Sequence, residues 1–394
     1  GNPRGGTGSS NGSRSSRCPR GSTGCARARG ACAGQREQVS ESKELVDGLG
    51  RHMRDLRISI TDRCNFRCLY CLPETEEAAD FYRRKSTDST EAPQPIQHEW
   101  KPRSHFLTYE EITRVARIAT DLGVTKLRLT GGEPLLRRAV PELVRQLSEL
   151  EGIDDLALTT NGFHFDKHAE ALRAAGLRRV TFSLDSLDRD NFKKLTGRDG
   201  LGELLAAITR ARELGFAPVK VNAVIIRDLN DHEIEALAQF AREEALTMRF
   251  IEFMPLDSSR AWQREHVVTG REIRDRLQAA FDLEPAGMEH AAATATRWRF
   301  KDGKEGQGEI GLITPVSEPF CGQCNRLRLT ADGKIRTCLF SLHEHDLKPL
   351  LRGNATDADI TGWLQAVVLK KEPRHHIGET DFEQPDRTMS AIGG

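Results

Sequence analysis

Six of the nine cysteines in this 394-residue chain fall into two tight triplets. The first lies in TDRCNFRCLYCLPE, where Cys64, Cys68 and Cys71 are spaced C-x3-C-x2-C. The second lies in PFCGQCNRLRLTADGKIRTC, where Cys321, Cys324 and Cys338 are spaced C-x2-C-x13-C. Thiolates so close in sequence are metal ligands in waiting, and each set is one short of a closed four-ligand zinc site. Three thiolates on a cubane [4Fe–4S] cluster leave one iron without a protein ligand. An open coordination position is what a catalytic metal keeps for a substrate or cofactor. Two blander readings compete at the first triplet: uncommitted loop cysteines, or structural zinc with a distant fourth ligand. At the second, His343 or His345 could complete a zinc site, or Cys321 and Cys324 could form a redox pair.

Two further elements carry chemistry. Arg326 and Arg328 stand at i and i+2 beside the second triplet, on one face if the segment is a strand. Paired guanidiniums suit a polyphosphate, whereas a solvated charged strand is the plain alternative. TGGEP (Thr130–Pro134) places two glycines where backbone can approach a ligand closely.

These residues need a scaffold, and the hydrophobic pattern predicts one. LRISIT, KLRLT, DLALTT, RVTFSLD, VKVNAVI and MRFIEFM read as six buried strands. YEEITRVARIATDL, VPELVRQLSEL, DKHAEALRAAG, LGELLAAITRARELG and DHEIEALAQFAREEA read as the helices between them, several ending in Gly. Six βαβ-type units predict an α/β fold, a parallel sheet, and a partial, open (β/α)6 barrel rather than a closed eight-fold one. Active sites of such sheets lie at the C-terminal strand ends. Thr130, Thr159, Asn161, Ser183, Asp185, Asn222 and Glu252 gather there. The expected organisation is a tail over residues 1–45, the barrel over 46–262 and a smaller C-terminal α+β region over 263–394. A polar insertion over 75–106 reads as a surface loop.

Lysines plus arginines number 58 and so do acids, which leaves no global basic field for nucleic acid. No apolar run approaches the ~20 residues of a membrane-spanning helix. Clustered rather than distributed cysteines argue for metal sites in a reducing compartment, not a secreted disulfide framework. Residues 1–36 lack Leu, Ile, Val, Phe and any acid, which predicts disorder. An Arg- and Ser-rich, acid-poor tail also has the composition of an organelle transit peptide, though without an apolar face. Cys18, Cys25 and Cys32 in this tail read as uncommitted thiols.

C-x3-C-x2-C after a first strand, with GGEP after the second, resembles the radical S-adenosylmethionine (SAM) superfamily. The segments RDLRISITDRCNFRCLYC, LRLTGGEPLLRR, LTTNG, MRFIEFMP, CGQCNRLRLTADGKIRTCLF and the final MSAIGG together resemble one family within it. That family is the GTP 3′,8-cyclases, molybdenum cofactor biosynthesis protein A. The resemblance covers nearly everything from Leu49 to Gly394. It implies two [4Fe–4S] clusters, with SAM on the open iron of Cys64, Cys68 and Cys71. The second cluster, on Cys321, Cys324 and Cys338, would meet the guanine ring. Tyr70, Gly131, Gly132, Glu133, Ser183 and Met254 would contact SAM, with Asn161 and Asp185 beside them. Arg57, Arg128, Thr159, Lys220, Arg249, Arg326, Leu327 and Arg328 would hold GTP. Gly393 and Gly394 would form a tail reaching into the site, acting with Arg326 and Arg328 in catalysis. The implied reaction is reductive cleavage of SAM, abstraction of the GTP C3′ hydrogen and closure of a C3′–C8 bond. The implied partners are a reductant protein such as flavodoxin or ferredoxin and a downstream cyclic pyranopterin monophosphate synthase, with no nucleic acid or membrane, and a homodimer as one assembly. The implied compartment is a bacterial cytoplasm, or an organelle such as the mitochondrial matrix if the tail is a transit peptide. Leu72 replaces the usual Met after the third cysteine, and the 75–106 insertion is longer than the family pattern. A radical SAM peptide maturase with an auxiliary cluster is the rival enzyme, and a zinc- or cluster-stabilised binding module the rival outside catalysis.

Overall fold

The structure is a computed structural model that describes residues 44–83, 100–257, 262–301 and 308–393. Cys18, Cys25, Cys32, Gly394 and the middle of the insertion lie outside the described residues. The six expected strands form: β1 (Asp55–Ser59), β2 (Lys126–Thr130), β3 (Asp155–Thr160), β4 (Arg179–Ser183), β5 (Lys220–Ile225) and β6 (Thr247–Glu252). All pair in parallel in sequence order. Among the described residues the helices are α1 (Glu76–Arg83), α2 (Tyr109–Asp121), α3 (Val140–Ser148), α4 (Ala169–Ala174), α5 (Arg189–Thr196), α6 (Leu201–Glu213), α7 (Ile234–Glu243), α8 (Gly270–Ala280), α9 (Lys348–Arg352), α10 (Asp357–Val368) and α11 (Met389–Ile392). None is long and apolar enough to cross a membrane.

Strand alternation separates two faces. Leu56, Ile58, Leu127, Leu129, Leu156, Leu158, Val180, Phe182, Val221 and Phe250 are buried in one continuous core with helix residues such as Ile112, Leu143, Leu204 and Leu237. The intervening residues, Arg57, Arg128, Thr159, Asn222 and Arg249, border a cavity on the opposite face. The sheet therefore turns an apolar side to its helices and a polar side inward, which its period of two makes possible.

The C-terminal strands join this same sheet. They are β7 (Leu283–Gly287), β8 (Thr296–Phe300), β9 (Glu309–Ile313), β10 (Arg326–Leu329), β11 (Lys334–Arg336) and β12 (His345–Asp346). The order is β12-β11-β10-β1-β2-β3-β4-β5-β6-β9-β8-β7, so β9 extends the β6 edge and β10 the β1 edge, both in parallel. Two six-strand edges would otherwise expose unpaired backbone groups. Antiparallel pairs then end the sheet at each side, and it stays open. The expected smaller C-terminal region thus supplies strands to the barrel rather than a sheet of its own. Part of the expected surface loop is also helical: Ala78, Ala79 and Phe81 of α1 are buried, and Ala78 and Phe81 pack with Leu69, Leu195 and Phe253.

Glu252 is the joint between the barrel and the chain after β9. Its fully buried carboxylate accepts from the backbone N–H groups of Gly270 (2.8 Å), Val316 (2.8 Å) and Ser317 (2.9 Å). Ser317 Oγ donates to it as well. Removing it strands two buried donors, Gly270 and Val316 N–H, and the part-buried Ser317 N–H. We expect Glu252→Ala to lower unfolding free energy by ~3–5 kcal/mol in urea titration, and Glu252→Gln to lower it less. Equal stability of the alanine variant and the parent would contradict this role.

Candidate active site

The first cysteine loop leaves β1 and is held from two sides. Arg67 N–H donates to Thr196 O (2.8 Å) and Leu69 N–H to Leu195 O (2.9 Å), which fixes it to α5. Phe66 packs edge-on against Phe163 and Phe192, with centroids 6.0 Å away in both cases. Cys71 and Leu72 N–H donate to Cys68 O at 2.9 and 2.8 Å, so Cys68 and Cys71 sit on one tight turn. The Phe66 N–H points at Cys64 Sγ, 3.4 Å away. Burial raises all three thiols, Cys64 to about 11 and Cys71 to about 12. Apolar burial of this kind favours neutral thiols until a cation arrives.

The Gly-rich loop after β2 lies against this loop. Gly132 N–H donates to Thr61 O (2.8 Å) and Glu133 N–H to Arg63 O (2.7 Å). A Cβ on Gly132 would stand 2.3 Å from Arg63 O, and one on Gly131 2.6 Å from Thr61 O. Only glycine permits that approach. The buried Glu133 carboxylate accepts from Leu135 N–H (3.0 Å), Thr160 Oγ1 (2.8 Å) and Asn161 N–H (2.8 Å). Burial lifts it to about 7. Its side chain is occupied in shaping the loop, so a ligand here meets the backbone. Asn161 Nδ2 reaches Asn65 Oδ1 (2.9 Å) and lies 4.0 Å from Cys64 Sγ. Tyr70 OH donates to Asp185 Oδ2 (2.7 Å), and Val224 N–H to Asp185 Oδ1 (2.8 Å). That bridge fixes the Tyr70 ring within the cysteine loop, and burial raises Asp185 to about 6.

The inward side chains form a cationic layer. Arg328, Arg57 and Arg128 occupy the same register on β10, β1 and β2. Arg249 stands opposite Asn222 on one side and Gly311 on the other. A Cβ on Gly311 would lie 2.9 Å from Arg249 Cγ, so the glycine makes room for that side chain. Arg128 donates to Thr159 Oγ1 (3.3 Å) and Thr181 Oγ1 (3.2 Å), and Arg249 to Thr181 Oγ1 (3.3 Å). Buried Nε atoms of Arg57, Arg128 and Arg249, and Oδ1 of Asn222, have no partner among the described residues. Burial and neighbouring arginines lower Arg57 to about 10 and Arg249 to about 9, and Arg328 is also pushed well below the ordinary guanidinium range. Burial lowers Lys220 to about 8, with Arg249 and Arg179 adding to it. Orphaned buried donors inside a positive layer are the donor set of a polyanion site.

Two adjoining cavities use this layer. One, about 180 Å³, is lined by Arg57, Arg128, Thr159, Arg249, Met254, Arg326, Arg328 and all three cysteines of the second triplet. The other, about 280 Å³, shares Arg57, Arg128, Arg249 and Arg326 and extends past Lys220 and Glu289. Lys220 pairs with Glu289 at 3.4 Å. Burial raises the Cys324 thiol, but Arg326 and Lys371 outweigh it and bring it down to about 6. Burial raises Cys321 and Cys338. His343 and His345 do not line this cavity. In neither triplet do all three ligand sulfurs lie within 4.8 Å of one another. Tetrahedral zinc with bonds of ~2.3 Å would draw sulfurs to ~3.8 Å apart. Neither triplet is drawn in to that spacing.

The C-terminal tail threads between the triplets. The backbone and hydroxyl of Ser390 bear on Cys71, and the Gly393 carbonyl accepts from Arg328. A Cβ on Gly393 would meet Ser59 Cβ at 2.9 Å and Thr130 Cγ2 at 3.0 Å, at a φ of +86°. Ser183 sits opposite Asn222 at the end of β4. Leu327 is the exception among the expected site residues, since its buried side chain belongs to the core behind the sheet. Gly394 lies outside the described residues.

Family comparison agrees with the geometry. The Radical SAM superfamily matches residues 58–241, and Molybdenum Cofactor Synthesis C matches 246–377. The GTP 3′,8-cyclase of Rhodopirellula baltica is 43% identical over 365 residues, 92% of this chain and 95% of that protein. The chain belongs to the GTP 3′,8-cyclase family. The Acidothermus cellulolyticus member is 44% identical, covering 84% of this chain and 86% of its own. The Streptomyces coelicolor member is 43% identical, with coverages of 89% and 96%. Among solved structures, Streptococcus suis SuiB bound to S-adenosylmethionine aligns with a TM-score of 0.54 at 14% identity, covering 86% of this chain and 77% of that one. Native anSMEcpe with bound AdoMet aligns at 0.51 and 13%, with coverages of 84% and 92%. These two likenesses show the fold alone, and the open parallel sheet expected from the sequence is the one found.

Sequence reasoning left out the residues that hold this family's tail. Arg387 binds Asp332 through two hydrogen bonds (2.9 and 2.8 Å) and reaches Glu344 at 2.6 Å. Lys101 also donates to Asp332. Burial would raise the Asp332 carboxyl, but Arg387 and Lys101 outweigh it and hold it well below the ordinary carboxylate range. No local motif marks an ion pair 55 residues apart. We expect Arg387→Ala to speed hydrogen exchange at residues 388–393 by ~tenfold or more, a loss of ~1.4 kcal/mol or more, with β1–β6 unchanged. Unchanged exchange in the tail would refute the anchor.

Proposed function

We propose that this chain is itself a GTP 3′,8-cyclase that catalyses the first step of molybdenum cofactor biosynthesis. The observation that carries the reading is the layer of Arg57, Arg128, Arg249 and Arg328. Arg128 and Arg328 are buried, Arg57 and Arg249 half-buried with buried Nε atoms, and the under-neutralised layer lines the cavity that contains the second triplet. Cys64, Cys68 and Cys71 hold one [4Fe–4S] cluster and Cys321, Cys324 and Cys338 the other. The first, when bound, supplies the electron for reductive SAM cleavage to the 5′-deoxyadenosyl radical that takes the GTP C3′ hydrogen and leads to C3′–C8 closure. The backbone of Gly131, Gly132 and Glu133, with Tyr70, Ser183, Asn161 and Met254, forms the SAM side. The arginine layer, Thr159 and Lys220 grip the triphosphate. Arg326 and Arg328 orient the nucleotide beside the second triplet, and Gly393 with Gly394 completes the wall. The protein's work is alignment, which can contribute ~7–11 kcal/mol of barrier reduction, and exclusion of water. A peptide substrate, as in the maturase alternative, brings no polyanion to this layer. A reductant protein and a cyclic pyranopterin monophosphate synthase act before and after, and a homodimer is compatible with the reading. The bacterial relatives favour a bacterial cytoplasm.

The deciding assay is anaerobic turnover of reconstituted protein with SAM, GTP and reductant. The expected products are 5′-deoxyadenosine and a 3′,8-cyclised nucleotide, with the nucleotide product lost in Arg326→Ala. Deoxyadenosine without altered GTP would assign another substrate. A pH limb follows from Lys220. Its ammonium is lost near pH 8 in the free protein, while a triphosphate wants it charged. GTP affinity, measured by calorimetry without turnover, should therefore weaken as pH rises through about 8. In Lys220→Arg that limb should move upward. A Kd flat from pH 7 to 9 would exclude Lys220 as a phosphate contact.

A further inference from the structure

On the outside of the first cysteine loop lies a groove of about 360 Å³ that the reaction above does not use. It runs past Thr61 and Arg63, respectively three residues and one residue before Cys64, and then along Arg103, Tyr109, Arg137 and Arg138. Its floor is rigid. Arg137 donates to Ile60 O (2.8 Å) and Leu107 O (2.6 Å) and lies over the Tyr109 ring at 4.3 Å. Tyr109 OH donates to Arg138 O (2.7 Å).

The rim gathers cations. Arg63, Arg103 and Arg138 are exposed, and none has a carboxylate partner among the described residues. Several other exposed arginines are paired, as Arg145 is with Glu142 and Glu149, Arg189 with Asp199, and Arg212 with Glu244, so three without a carboxylate on one groove are a concentration of free charge. In a chain with equal numbers of acids and bases, three unpaired guanidiniums on one groove are a local field. The acid lining the groove, Glu110, is turned to the first turn of α2, where it meets its own backbone N–H and Thr108. The wall is also continuous with the chemistry: Arg63 O accepts from Glu133 N–H, and the next residue is Cys64.

We propose that this groove docks an acidic one-electron carrier protein, which delivers its electron across the Arg63–Cys64 wall. The inference rests on the radical reading above. The carrier is oxidised by one electron. That electron ends in the S–C5′ bond of SAM, which breaks to methionine and the 5′-deoxyadenosyl radical. No atom passes from the carrier. A protein carrier fits better than a nucleic acid, which would need a longer basic stripe than this single groove. Exposed charges of this kind set encounter rate and salt dependence more than bound-state stability.

The test compares wild type with Arg103→Glu/Arg138→Glu, two exposed positions away from the substrate cavities. 5′-Deoxyadenosine formation is followed with dithionite and, separately, with reduced flavodoxin below saturation. With flavodoxin, the variant should lose about tenfold or more in rate, and the wild-type decline with added salt should disappear. With dithionite the variant should stay within about twofold of wild type, and Arg103→Lys/Arg138→Lys should restore the flavodoxin rate. An unchanged flavodoxin rate, or an equal loss with both reductants, overturns the docking role. If wild type cleaves no SAM with dithionite, the radical reading itself fails and takes this inference with it.

Discussion

Like charges inside a barrel set the terms for this structure. Arg57, Arg128 and Arg328 stand side by side in register, with Arg249 across from them. Buried guanidiniums repel one another and forgo hydration, a cost that grows as water is excluded. Asp55, in register with Arg326 and Lys126, offsets part of it, and threonine hydroxyls occupy some of the donors. The remainder is a standing demand for an anion. A site built this way is preorganised for an anion before any arrives, and its positive charge is placed by strands rather than by mobile loops.

The other half of the site depends on close backbone contact. The cysteine loop and the Gly-rich loop touch through two backbone hydrogen bonds, with no space for a side chain at Gly131 or Gly132. Glu133 then ties the second loop to the end of β3. Together these bonds make three strand ends one rigid rim. A cluster held there would keep a fixed position relative to the arginine layer, as a radical reaction with no diffusing intermediate needs. The tail is the adjustable part. Its anchor, Asp332 with Arg387, sits on the turn between β10 and β11, and its end lies against Ser59, Thr130 and Arg328.

The open form of the sheet has a functional reason as well as a topological one. Eight consecutive parallel strands, β10 to β9, wrap the cavity, yet the ends do not pair with each other. A closed eight-strand barrel fills its interior with side chains. Leaving the sheet open, with antiparallel pairs at both edges, leaves room for a nucleotide. It also brings the second cysteine triplet, which precedes and follows β10, to the cavity's wall.

Much of this was legible in the residues themselves. Period-two alternation in KLRLT and DLALTT placed β2 and β3 within their observed limits, because short apolar strands bounded by polar turns have little alternative. The cysteine spacings and GGEP identified the chemistry, since ligand geometry and backbone approach are local requirements. Helix α1 was hidden in a polar segment because its stability comes from burying Ala78 and Phe81 against Leu69 and Phe253, which are distant in sequence or in another element. Strand alternation turns the Leu327 side chain into the core, away from the arginines on either side of it. What only the tertiary structure decided is which cations share a register, that β9 and β10 complete the barrel, and that Arg387 meets Asp332. Each depends on pairing between segments far apart along the chain, and no local pattern encodes that.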